Sequence, residues 1–176
     1  VEGMLLQPGD AVIEIGCGTG LNFSLLEQRI GDNGKIFGLG ISEAMLDRAR
    51  KRVNRAGWHN VDLVFCASAD YQFPDRGDGI VAMNYEPEFD KVIEQGAKAL
   101  APGHRWVVLD YELPDNWFRY LALPFVTLGR AFGVSCALME RRVWESIHHH
   151  LGNMWTRELY GGFVRLILGE APPSQN

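Results

Sequence analysis

At 176 residues the chain has the length of one domain, since domains typically run to roughly 100–200 residues. Hydrophobic residues at 47% and charged residues at 22% are ordinary globular proportions, which exclude a disordered or fibrous chain. The net charge of −5 argues against a phosphate-binding surface and so against nucleic acid as a partner. No apolar run approaches the roughly 18 residues of a membrane span, and the N-terminus lacks the basic-then-apolar pattern of a leader, so stable membrane insertion is not expected.

Ala11–Ile15 is a short, nearly continuous apolar run, the mark of a strand covered on both faces. A helix is expected over Leu21–Ile30, ended by the turn-rich Gly31-Asp32-Asn33-Gly34, and a second strand over Lys35–Leu39. Ser42 offers an N-cap to a helix over Glu43–Ala56, with Gly57 as its stop. The basic residues Arg48, Arg50, Lys51, Arg52 and Arg55 then read as the wet face of that helix. Val61–Cys66 and Gly79–Met83 form strands three and four, Glu88–Leu100 a helix closed by Pro102-Gly103, and Arg105–Leu109 strand five. Further on, a helix is expected over Arg141–Leu151, and Thr156–Tyr160 and Phe163–Leu168 flank Gly161-Gly162 closely enough to pair antiparallel. The tail Ala171–Asn176 reads as frayed.

Strict strand–helix alternation argues for a parallel sheet with helices on both faces, joined by right-handed crossovers. The expected fold is a single α/β domain over residues 1–176. Its core is a doubly wound, mostly parallel seven-stranded sheet with one antiparallel edge strand and a helical insert at about 114–151. Cys17, Cys66 and Cys136 form no CxxC pair, so neither zinc nor a disulfide framework is indicated and a reducing, cytoplasmic setting is expected. His148-His149-His150 are consecutive and point about 100° apart on a helix, so they do not converge on a metal.

The chemistry is concentrated after strand one. Gly16, Gly18 and Gly20 sit where an open α/β sheet binds ligands, beyond the carboxyl ends of its strands. Glycine admits positive φ and lets a ligand lie against bare backbone. The spacing is G-x-G-x-G, not the G-x-G-x-x-G of dinucleotide binders, and no lysine follows as in a phosphate-binding P-loop. A nicotinamide-dependent oxidoreductase is thereby disfavoured.

In Glu14-Ile15-Gly16-Cys17-Gly18-Thr19-Gly20 the sequence resembles the first motif of class I S-adenosylmethionine-dependent methyltransferases. The resemblance runs along nearly the whole chain. It takes in Gln7-Pro8-Gly9-Asp10 before strand one, Ile41-Ser42-Glu43-Ala44-Met45-Leu46 at the second helix, Ala99-Leu100-Ala101-Pro102-Gly103 before strand five, and Gly161-Gly162-Phe163 before the last strand. Asn22 and the insert after strand five look most like the group that methylates quinone precursors and phospholipid head groups. The resemblance implies S-adenosylmethionine as cofactor, with Glu14 turned toward its methionine amino group. The other reading of Glu14 is a carboxylate that caps helix one. The cofactor-binding set implied is Glu14, Gly16, Cys17, Gly18, Thr19, Gly20, Asn22, Gly40, Ile41, Ser42, Met45, Ala67, Ser68 and Asn84.

Several positions depart from the family pattern. An acid at the end of strand two holds the ribose hydroxyls in this family, and Gly40 stands there. Such a carboxylate contributes roughly 1.5–3 kcal/mol, so its loss weakens binding roughly ten- to a hundredfold. Ala67 stands where an acid after strand three reads the adenine, and Ser68 is the weak substitute. Asn84-Tyr85-Glu86-Pro87 is shorter than the usual loop, His104 replaces a common glycine, and only ten residues precede strand one, where relatives carry lid helices.

Methyl transfer from a sulfonium needs mainly positioning, and no dedicated base stands out among Asn84, Tyr85, Asp110, Tyr111 and Glu112. Tyr85, Tyr111, Trp117 and Tyr120 are the expected substrate walls. The last two lie in Pro114–Phe132, the most apolar long segment. In the resembled group this insert covers the substrate, which implies a small greasy or aromatic acceptor, while its composition also suits a helix packed on the sheet or a contact between copies of the chain. The sequence is compatible with two functions: methyl transfer to an apolar or aromatic, lipid- or quinone-like small molecule, and a non-catalytic binding or assembly module that keeps the fold.

Overall fold

The computed structural model describes residues 1–74, 76–83, 88–111 and 142–172. Its strands are β1 (Ala11–Ile15), β2 (Lys35–Gly40), β3 (Val61–Phe65), β4 (Gly77–Met83), β5 (Leu100–Tyr111), β6 (Gly152–Leu159) and β7 (Val164–Glu170). Its helices are α1 (Phe23–Ile30), α2 (Glu43–Ala56), α3 (Phe89–Ala99) and α4 (Val143–His150). The strands form one sheet in the order β3-β2-β1-β4-β5-β7-β6. β1 pairs parallel with β2 and with β4, so the chain winds outward in both directions from the middle and strand order reverses between β1 and β4. β7 is the antiparallel strand, set between β5 and the edge strand β6.

The apolar run of β1 is buried on both faces, as a strand covered by two helical layers requires. Val12 faces a core built with Phe23, Leu26 and Ile30 of α1 and Leu46, Ala49 and Val53 of α2. Ile13 and Ile15 face the opposite core, built with Val92 and Ile93 of α3 and Val143 and Ile147 of α4. Glycine inside a helix costs about 1 kcal/mol against alanine, yet Gly96 sits within α3. A Cβ there would lie 2.5 Å from the ring of Trp106, which is only 1% exposed, so the small residue makes room for the largest buried side chain.

Boundaries moved at a few places. α1 begins at Phe23 rather than Leu21, because the chain first completes the left-handed turn at Gly20 and Asn22 takes the N-cap position. Gly57 ends α2 in the left-handed conformation, with φ of 75°. β5 runs longer than Arg105–Leu109 because its end pairs with β7 out to Tyr111. Among the described residues no helix is long and apolar enough to cross a membrane.

Candidate active site

Gly16, Gly18 and Gly20 carry φ values of 70°, 56° and 70°, a region that costs an L-residue roughly 1–2 kcal/mol. They bring the chain out of β1, across the sheet's carboxyl edge and into α1. At Gly20 a second reason applies, since a Cβ would lie 2.5 Å from the Phe23 ring. At Gly18 the nearest atom to an added Cβ among the described residues is the Gly16 carbonyl oxygen at 4.0 Å, which leaves room for a ligand on that side of the loop.

Three contacts fix the loop. Cys17 N–H donates to the Leu39 carbonyl of β2 at 2.9 Å, and Gly20 N–H to the Cys17 carbonyl at 2.9 Å. Arg52 Nε, from α2, donates to the Thr19 carbonyl at 3.1 Å. The Cys17 side chain is buried, and burial with the nearby Glu14 charge pushes its thiol up to about 12, so it packs rather than reacts.

Glu14 is 3% exposed, on the α1 side of β1. Its Oε1 accepts from Asn22 Nδ2 at 2.8 Å, while Oε2 is buried with no hydrogen-bond partner among the described residues. Burial raises the carboxyl to about 7, and the Asn22 bond works against that rise. A capping carboxylate would accept from backbone N–H groups of the first turn. Glu14 instead holds the side chain of the N-cap residue and keeps one oxygen back. A buried carboxylate with a free oxygen beside an open glycine loop suits a cationic, hydrogen-bonding group such as a ligand's ammonium.

The second side of the site lies at the ends of β2 and β3. Gly40 is half-buried, and a Cβ there would meet Leu46 Cδ2 at 3.2 Å, so the missing acid leaves a nearly filled position. Ser42 occupies the N-cap position of α2 without a side-chain cap bond, and Ile41 and Met45 beside it are 74% and 50% exposed. Ala67 is half-buried and leads into a 3-10 turn, Ser68–Asp70, in which Ser68 is buried. At the end of β5, Asp110 is buried and Tyr111 half-buried, paired in register with Val164. Asn84, Tyr85, Trp117 and Tyr120 lie outside the described residues, as does most of the expected insert. Arg52 was expected only as part of a wet helix face. No local signal links it to Thr19, 33 residues away.

His148–His150 occupy the last turn of α4, as expected. Among the described residues one group has metal-like proximity, Asp10, Asp78 and His104. It lies at the amino ends of β1, β4 and β5, away from the glycine loop, and its carboxylates already accept from Gln7 N–H at 2.7 Å and Ala11 N–H at 2.9 Å.

A sheet of this winding, with a glycine loop and a buried acid at its switch point, has the form of an α/β domain that binds a ligand beyond the carboxyl ends of its strands. The family described as "Methyltransferase domain" matches residues 12–103, more than half of the chain. The chain belongs to that family, the class I S-adenosylmethionine-dependent methyltransferases, whose cofactor is S-adenosylmethionine. It is 29% identical over 145 residues to a demethylmenaquinone methyltransferase of Listeria welshimeri, covering 75% of this chain and 60% of that protein. The chain thus spans about 60% of the length of such curated relatives. Its fold matches a methyltransferase of Aquifex aeolicus (TM-score 0.68, 18% identity, 97% of this chain and 86% of that one). It also matches the [4+2]-cyclase SpnF (TM-score 0.73, 17% identity, 98% and 79%), so the fold alone does not assign the reaction.

Proposed function

We propose that this domain binds S-adenosylmethionine at the glycine loop and transfers its methyl group to a small apolar or aromatic acceptor of quinone or lipid type. The observation that carries the reading is Glu14, buried at the switch point with Oε2 unpartnered among the described residues. When bound, the cofactor supplies a methyl group on a sulfonium, which passes to the acceptor nucleophile while the thioether leaves. Glu14 holds the amino group, Asn22 fixes the Glu14 carboxylate, and Gly18 admits the ligand against its backbone. Arg52 keeps the loop in place through Thr19. The 29% identity to demethylmenaquinone methyltransferase supports the acceptor class.

One observation favours a second reading, a methyltransferase fold kept for binding or assembly. Neither Gly40 nor Ala67 supplies the acid that the ribose and adenine ends would meet. Calorimetric titration with S-adenosylhomocysteine separates the two. Micromolar binding by the natural sequence supports the enzyme, and methyl transfer from labelled S-adenosylmethionine to a demethylated naphthoquinol is then assayed. Absent binding that returns in Gly40→Asp identifies a decayed ribose site and sinks the enzyme reading.

A further inference from the structure

The amino edge of the sheet, opposite the glycine loop, carries a side-chain cluster that methyl transfer leaves unused. Asp10 ends the turn ahead of β1, Asp78 lies in β4, and His104 lies in β5. The register between β4 and β5 jumps here: Gly77 pairs with Leu100 and Gly79 with Arg105, so Asp78 faces the longer stretch Ala101–His104. Irregularities of this kind re-aim side chains. This one brings an imidazole nitrogen and two carboxylate oxygens within 4.8 Å of one another.

All three groups are oriented from outside the cluster. Gln7 N–H donates to Asp10 Oδ2 at 2.7 Å, and Ala11 N–H to Asp78 Oδ2 at 2.9 Å, which leaves Asp78 Oδ1 facing His104. His104 Nδ1 stands 3.3 Å from the Pro102 carbonyl oxygen, an atom that only accepts, so Nδ1 carries the hydrogen. The neutral ring then presents its lone pair at Nε2, 3.6 Å from Asp78 Oδ1. That separation is too long for a hydrogen bond, and it sets lone pair against lone pair unless a cation lies between them. Ligand atoms on a tetrahedral zinc ion, with bonds of roughly 2.0–2.2 Å, stand about 3.4 Å apart, close to the spacing found here. An imidazole whose second nitrogen donates to a backbone carbonyl is also the usual form of a metal-bound histidine. Two neighbouring carboxylates alone would be an ordinary surface feature; the fixed imidazole is what makes a donor set. Arg76 Nε is 3.7 Å from the same Asp78 oxygen, but its side chain is 75% exposed, so solvent screens that pair.

We propose that His104, Asp78 and Asp10 hold one zinc-like divalent cation, with water completing its shell. Two carboxylates balance its charge, and the imidazole selects a borderline metal over magnesium. The ion would pin the turn before β1 to the starts of β4 and β5, a structural role that stands apart from methyl transfer. The test is calorimetric titration of the full chain, first stripped with a chelator, with Zn²⁺ and separately with Mg²⁺. Micromolar binding of Zn²⁺ at one site, with no heat from Mg²⁺ at the same concentrations, is the expected result. Losing an outer-shell partner alone costs roughly ten- to a hundredfold, so His104→Gln should weaken binding by at least about a hundredfold. His148→Gln/His149→Gln/His150→Gln should bind as the natural sequence does, which separates the site from the histidine run of α4. Zn²⁺ at about a hundred times Kd should raise the melting temperature of the natural sequence by roughly 5–11 °C and leave that of His104→Gln unmoved. Circular dichroism checks that His104→Gln keeps its fold. Should it not, Asp10→Asn is read, which keeps an acceptor for Gln7 N–H and should lose at least about tenfold. The proposal is overturned if the natural sequence takes up no Zn²⁺, if Mg²⁺ binds as tightly, if a folded variant of the site binds undiminished, or if the α4 variant abolishes binding.

Discussion

Glutamine at position 14 separates what Glu14 does for folding from what it does for binding. Burial lifts the carboxyl from its ordinary 4.5 to about 7. Each pH unit is worth about 1.4 kcal/mol, so holding the ionised group in the empty protein at pH 8 costs about 3 kcal/mol. The folded pKa lies above the unfolded one, so between those two values the folded state binds more protons. Stability is therefore greatest below the unfolded pKa and falls as pH rises through about 7. Glutamine keeps an acceptor for Asn22 and stands in for the protonated acid. Glu14→Gln should therefore leave stability at pH 5 nearly unchanged and raise it at pH 8 by up to about 3 kcal/mol. For a domain of this size that is an increase in melting temperature of roughly 6–12 °C. The same variant loses a charge-assisted bond worth roughly 1.5–3 kcal/mol, so S-adenosylhomocysteine should bind roughly ten- to a hundredfold more weakly at pH 8. Thermal melts at the two pH values and a calorimetric titration check both halves. A lower melting temperature at pH 8 would refute the burial argument, and undiminished binding would refute Oε2 as a ligand-holding atom.

Asn22→Ala removes the bond that opposes the rise of the Glu14 carboxyl, so the pH at which S-adenosylhomocysteine binding reaches half its plateau should move above that of the natural sequence, by calorimetry across pH. Gly20→Ala drives a Cβ to 2.5 Å from Phe23 at positive φ and should cost roughly 1–3 kcal/mol in urea denaturation. Gly18→Ala meets no such neighbour, so it should cost less stability than Gly20→Ala while blocking the open side of the loop to S-adenosylhomocysteine. Gly40→Asp asks Leu46 to yield a few tenths of an ångström and should tighten S-adenosylhomocysteine binding roughly tenfold or more, measured in the same titration.

Alternation and punctuation made most of the sheet legible in the sequence. β1 and α2 carry the boundaries read from apolar runs, Ser42 and Gly57, because a buried strand and a capped amphipathic helix advertise themselves locally. Gly161-Gly162 likewise marked the turn between β6 and β7, where Gly161 takes φ of 70°. The glycine loop was legible because a left-handed backbone calls for glycine, as at Gly16, Gly18 and Gly20. The site was not legible where two distant segments meet. That Arg52 of α2 would clamp Thr19, and that Asn22 would turn back to Glu14 of β1 rather than enter α1, depends on how α2 and the start of α1 sit on the sheet, which no local pattern encodes.

The same distinction bears on how this pocket grips its ligand. On the proposed function Glu14 would anchor the ligand from low dielectric, where a carboxylate facing an ammonium interacts far more strongly than in water. Gly40 removes an anchor from a half-buried position, where a carboxylate would meet neutral hydroxyls. The retained group is thus the one whose contribution to that binding would be large and would switch with protonation, and the absent one is the one whose contribution would be smaller. A site built this way would recognise the charged methionine end of its ligand more strictly than the sugar. Its affinity should then follow the ionisation of Glu14, rising as pH passes through about 7.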